Sequence, residues 1–238
     1  MRTPRAPLSG PDVWLGKDME KRTDWIHVLT NDEVADVERA VRSVRQRHSE
    51  MYAVTSDEFP LPVLSRRFEV ISHALEYGCG VANIRGIPTD TFSMEDLRWV
   101  LWGIGTHLGT AVSQNKVGEF FAEVRDYGEN LGRPDSRGYR TASSLRFHTD
   151  RCDVVALLCA RQCREGGDSR IVSTPAIHNA MLERRPDLLE VLFGPYHHSR
   201  QSEEVAGGVP YDGNPVFGRR EGRFVSQESP PCGKQERR

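Results

Sequence analysis

The sequence predicts an α+β domain, with helices first and strands later. Up to residue 108, apolar residues recur at helical spacing between clear capping signals. Beyond residue 110, the apolar runs shorten and are bounded by Gly, Pro, Asn and Asp, which reads as strands and turns.

Residues 1–24 carry Pro4, Pro7 and Pro11 without periodicity and read as an irregular arm. Thr30 and Glu33 fit a capping box, in which hydroxyl and carboxylate satisfy orphan amides of a first helical turn. Val34, Val37, Val41 and Val44 then mark one helix face. Glu58-Phe59-Pro60-Leu61-Pro62 interrupts the pattern. A second helix is predicted over 65–77, with Phe68, Ile71 and Leu75 on one face and Gly78 as a left-handed stop. Val81-Ala82-Asn83-Ile84 reads as a strand ended by Arg85-Gly86. Ser93 and Asp96 open a third helix bearing Leu97, Val100, Leu101 and Ile104, closed by Gly109. Trp99 and Trp102 on it are read as core.

In the second half, Phe120 to Val124, Leu145 to Asp150, Val154 to Gln162 and Ser169 to Ser173 read as strands. Residues 128–138 read as a mobile loop. Helices are predicted over 175–184 and 186–192, since proline is tolerated in a first helical turn. A hairpin is predicted around Glu221-Gly222, between Phe217-Gly218 and Arg223-Phe224-Val225. From 227 the chain has no periodicity and reads as a disordered tail.

Composition excludes several classes. The 238 residues hold 32 basic and 34 acidic side chains, a net charge of −2, which argues against a polybasic nucleic-acid binder. The longest apolar run, Val154 to Ala160, is far short of the ~18 residues of a membrane span. The N-terminus has no apolar signal core, so a cytoplasmic protein is expected. Five cysteines, an odd and sparse count, do not suit a disulfide scaffold. Cys152, Cys159 and Cys163 are spaced wrongly for zinc and read as buried thiols in strands. No phosphate-binding G-x-x-x-x-G-K-[ST] loop is present, so an ATPase has no support.

The strongest chemical signal is His148-Thr149-Asp150. On a strand, residues two apart share a face, so the imidazole and the carboxylate can converge on one ion. One His and one carboxylate suit Fe(II), and a second His would complete the facial triad of non-haem iron oxygenases. Among 8 histidines in this chain, about half a His-x-Asp pair arises by chance, so context decides.

From 78 to 192 the order of features resembles the taurine dioxygenase-like (TauD/TfdA) family of Fe(II)- and 2-oxoglutarate-dependent oxygenases. The matching pieces are GCGVANIRGIP at 78–88, GTHLG at 105–109, Gln114, RGYRT at 137–141, LRFHTD at 145–150 and GGDSRIVS at 166–173. The resemblance implies a double-stranded β-helix (jelly-roll, clavaminate synthase-like) with flanking helices. It makes His148 and Asp150 the iron ligands and catalytic centre, and puts Ser169 on the far carboxylate of 2-oxoglutarate. Gln114 and Arg146 become candidate substrate contacts, along with Asn115, Arg85, Arg137 and Arg140. It further implies hydroxylation of a small organic molecule with O2, releasing succinate and CO2.

Two departures stand out. The family takes a second His and an Arg from late strands, but only 88 residues follow Asp150. His178 falls on a predicted apolar-periodic helix and reads as packing or surface. His197 and His198 are adjacent, so on a strand they face opposite ways. The domain is therefore expected over 25–226 as a partial oxygenase with a truncated or frame-shifted tail at 227–238. Two rivals remain open: an inactive family member that only binds a ligand or partner, and a zinc or manganese lyase or isomerase working without O2 and 2-oxoglutarate. The substrate and the oligomeric state are not legible.

Overall fold

The computed structural model describes residues 5–113, 118–128, 140–142, 144–150, 152–199 and 211–227. It is a mixed helix-and-strand structure that divides into two compact units. One holds 9–111 and 154–176; the other holds 1–8, 112–153 and 177–238.

In the first unit, the short helix α1 (Gly16–Met19) precedes strand β1 (Ile26–Val28), helix α2 (Asn31–Arg47) and a 3-10 turn at Met51–Ala53. Helix α3 (Ser65–Tyr77), strand β2 (Asn83–Arg85) and helix α4 (Met94–Leu108) follow. β1 and β2 pair in parallel, Ile26 opposite Asn83 and Val28 opposite Arg85. A parallel pair needs a long crossover, which α2 and α3 supply. Both expected capping boxes are present. The Glu33 N–H donates to Thr30 Oγ1 while the Thr30 N–H donates to Glu33 Oε2, and Ser93 and Asp96 repeat the arrangement.

The helix faces expected from periodicity form the core. Val37, Val41, Val44, Phe68, Ile71 and Val100 are all buried, as are Phe59, Leu61 and Leu64 from the Pro60 and Pro62 segment. Trp99 and Trp102 are buried as expected, and Trp102 Nε1–H donates to the Val54 carbonyl at 2.9 Å. A second cluster joins Trp14 and Met19 to Cys79. Asp36, 2% exposed, accepts the Val63 and Leu64 N–H groups at 2.8 and 3.2 Å, fixing the approach to α3.

One stop differs from expectation. Gly78 has φ −102° and is not left-handed; Gly80, at φ +75°, is. Glycine is still needed at 78, where a Cβ would meet the Ala74 carbonyl oxygen at 2.6 Å.

The second unit contains strands β3 (Tyr196–Ser199), β4 (Tyr211–Asn214), β5 (Phe217–Arg220) and β6 (Arg223–Ser226), helix α6 (Pro186–Leu192), and from residue 177 helix α5 (Thr174–Arg184). β5 and β6 form the expected hairpin, with Glu221 at φ +52° and Gly222 at φ +82° in the turn. β3 and β4 also pair antiparallel. Leu189, Val216 and Phe217 are the buried centre, surrounded by Ile177, Met181, Leu192, Phe193 and Phe224.

The strand expectations between these elements fail. Residues 120–124, 145–150, 154–162 and 169–173 carry no strand among the described residues. An apolar run becomes a strand only if its backbone groups find a ladder partner, and that partner is non-local. Among the described residues these runs join no strand ladder, and Leu145, Phe147, Val155, Leu157 and Ile171 stay about half exposed or more. The cysteine expectation falls with it. Cys159 and Cys163 are exposed and Cys152 is half-buried; among the described cysteines only Cys79 is buried. Ser173, read as a strand end, instead caps α5. Its hydroxyl accepts the Ala176 N–H at 3.0 Å and donates to the Asp12 carbonyl at 2.6 Å. The loop at 129–138 and the tail from 228 lie outside the described residues.

Candidate functional site

His148 and Asp150 lie on an exposed segment of the second unit, with side chains 35% and 52% exposed. The His148 ring is oriented from its own chain. Its Nδ1 stands 2.7 Å from the Arg146 carbonyl oxygen. A carbonyl only accepts, so Nδ1 carries the proton and Nε2 of the neutral ring keeps its lone pair. That nitrogen stands 4.0 Å from Asp150 Oδ1, too far for a hydrogen bond. The sequence pattern flagged both side chains, but it gave no sign that the Arg146 backbone would set the tautomer.

This donor set can be tested against a divalent metal ion. Imidazole nitrogen and carboxylate oxygen are the right donor types, and a ligating His commonly donates its other N–H to a carbonyl. Two adjacent ligands at bond lengths of about 2.1 Å lie roughly 3 Å apart. The observed gap is about 1 Å wider, and the exposed Asp150 carboxylate makes no hydrogen bond among the described residues that would oppose its rotation. Two positions of a facial triad are therefore chemically suited. Among the described residues, no group of three or more His, Cys, Asp or Glu comes together to hold a metal ion.

Ser169 belongs to the unit containing 154–176 and is exposed. Gly166 and Gly167, just before it, take φ +71° and +74°, a left-handed pair that suits glycine. Arg146 is exposed, and its guanidinium has no partner among the described residues. Gln114, Asn115 and Arg137 lie outside the described residues. Arg140 stands 4.3 Å over the Tyr127 ring, and its carbonyl accepts the Tyr127 N–H at 3.0 Å. His178 is a packing residue, 2% exposed and edge-on to Phe193, Phe217 and Phe224. His197 and His198 occupy adjacent positions of β3, opposite Gly213 and Asp212.

Residues 34–236 match the family described as taurine catabolism dioxygenase TauD, TfdA family. The chain belongs to this family. The TauD/TfdA match includes the His148-Thr149-Asp150 segment and the Gly166-Gly167-Asp168-Ser169 segment. Similar curated proteins point the same way. FR-33289 synthase of Streptomyces rubellomurinus is 31% identical over 221 residues, covering 92% of this chain and 65% of that protein. The taurine hydroxylase-like protein SAT17 of Stachybotrys chartarum is 25% identical over 192 residues, covering 78% of this chain and 50% of that protein. The chain thus spans between half and two-thirds of the length of these TauD/TfdA relatives. Among the described residues, no helix is long and apolar enough to cross a membrane.

Proposed function

We propose that this protein is an Fe(II)- and 2-oxoglutarate-dependent dioxygenase that hydroxylates a small organic substrate, releasing succinate and CO2. Membership of the TauD/TfdA family supports the reaction class. The observation that carries the reading is the bond from His148 Nδ1–H to the Arg146 carbonyl, which leaves Nε2 ready to ligate beside Asp150.

In this reading His148 and Asp150 hold the iron, Ser169 donates its hydroxyl to the far carboxylate of 2-oxoglutarate, and Gln114 and Arg146 contact the substrate. Bound iron and 2-oxoglutarate supply the oxidation of a substrate C–H bond by O2. The chain's own part is positional and electrostatic. The Arg146 carbonyl fixes the ring, Asp150 offsets part of the metal's charge, and the Arg146 guanidinium offers a cation to an anionic substrate. The same reading places the oxygenase domain at 25–226 on a double-stranded β-helix, with an arm before it and a tail after it. It describes a cytoplasmic protein that binds no nucleic acid.

A second reading is a family member that binds a ligand or partner without turnover. The exposure of His148 and Asp150, and the lack of a third donor among the described residues, favour it.

An anaerobic Fe(II) titration of the protein with 2-oxoglutarate separates the two. The oxygenase reading expects a saturable visible charge-transfer band that is lost in His148→Ala. Folded protein that gives no band would leave the non-catalytic reading standing.

A further inference from the structure

Residues 5–8 and the cluster built on α5, α6, β5 and β6 line a partly open cavity of about 300 Å3, at the lower end of the range for small-molecule sites. The segment over it is tied down. The Leu8 N–H donates to Asn179 Oδ1 at 2.7 Å, and Asn179 Nδ2 donates to the Leu8 carbonyl at 2.8 Å. Arg5 Nε donates to Glu190 Oε1 at 2.9 Å, and the Arg5 guanidinium lies 3.5 Å over the Phe193 ring.

The lining defines what fits. Phe193 and Phe224 line it, one face of Phe193 being covered by Arg5. His178 also lines it. The paired bonds to Leu8 fix the Asn179 amide, so the Oδ1 at 3.2 Å from His178 Nδ1 is a true acceptor. Nδ1 therefore carries a proton, and Nε2 of the neutral ring keeps a lone pair that no described residue uses. Charge supplies the last constraint. Arg5 is matched by Glu190, whereas Arg219 donates only to the Gly222 carbonyl, at 3.3 Å, among the described residues. Among the described residues, the Arg219 guanidinium beside the cavity thus has no carboxylate partner.

We propose that this cavity binds a small planar carboxylate, with its ring against Phe224 and its anionic group on Arg219. Neither His148 nor Asp150 lines it, so the proposal does not depend on the oxygenase reading.

The test is an NMR titration of the full chain with benzoate, following the His178 ring protons. Benzyl alcohol keeps the ring without the charge, and acetate keeps the charge without the ring. Benzoate is expected to saturate and to bind more tightly than either control. Arg219→Gln is expected to weaken it roughly tenfold or more, the loss of a charged hydrogen bond. Arg220→Gln, on the alternate face of β5, is expected to leave it unchanged, and Arg219→Lys to keep part of it. His148→Ala is expected to leave benzoate binding intact, which separates this site from iron binding. No saturable shift, equal loss in Arg219→Gln and Arg220→Gln, or benzyl alcohol binding as tightly as benzoate would each overturn the proposal.

Discussion

Arg67 grips Glu33 with two hydrogen bonds, Nε to Oε1 at 2.7 Å and Nη2 to Oε2 at 2.9 Å, and so ties α3 to α2. The Arg67 guanidinium is the main reason the Glu33 carboxyl is held below its usual range. Burial, and then the same positive charge, push the nearby His27 imidazole down, against a smaller opposing pull from Asp24. His27 is 6% exposed, and its Nε2 has no hydrogen-bond partner among the described residues.

These two groups set an acid response in two windows. The folded state binds the His27 proton less readily than the unfolded chain does. Stability is therefore full above an unfolded pKa of about 6.5 and falls as the pH drops below it. Glu33 contributes above its unfolded value of 4.5, and that contribution is lost as the pH falls through its lower folded value. Urea unfolding across this pH range is expected to show both losses in the native chain. His27→Leu should remove the upper one and leave the lower. An unchanged slope near pH 6 in that variant would refute the assignment.

Gly103 is expected to tolerate no side chain. A Cβ there would meet the Phe59 ring at 2.4 Å, with the ring itself fully buried. Gly103→Ala should cost about 1–3 kcal/mol by overpacking, despite the better helix propensity of alanine. Denaturant midpoints at unchanged m-value check this.

The two capping boxes should each contribute about 1 kcal/mol. Thr30→Ala and Ser93→Ala remove caps on different helices, so their effects should add in the double variant. Equilibrium unfolding of the three variants measures it, and a double variant no less stable than the worse single one would argue against independent caps.

Asp150→Asn keeps the shape of the side chain and removes its charge. On the proposed oxygenase reading, Fe(II) affinity, read by anaerobic titration, is expected to fall by about tenfold or more, as loss of a charged ligand should. Asp153→Asn, three residues on, should leave it within a factor of about two, a control for general surface charge.

The helices were readable because their signals are local. Thr30 with Glu33, Ser93 with Asp96, and the Val37, Val41, Val44 and Phe68, Ile71 spacings lie within one helix each, and the structure shows those caps and faces. The β5–β6 hairpin was readable for the same reason: Glu221-Gly222 supplies a turn that needs two positive φ values. The runs at 145–150, 154–162 and 169–173 misled because an apolar run does not say what it pairs with. Of the candidate site, the pair His148 and Asp150 was legible from spacing, whereas the Arg146 carbonyl that orients the ring was not, since every residue has one.

The sequence by itself determined the capped helices, the hairpin, the His-x-Asp donor pair and the resemblance to the TauD/TfdA family, all carried by residues close together in the chain. The tertiary structure decided the parallel pairing of β1 with β2, the placing of Arg67 on Glu33, and the burial of His178 among three phenylalanines. Each of those joins residues far apart in sequence. Packing and desolvation act on distance in space, so no local pattern can announce them.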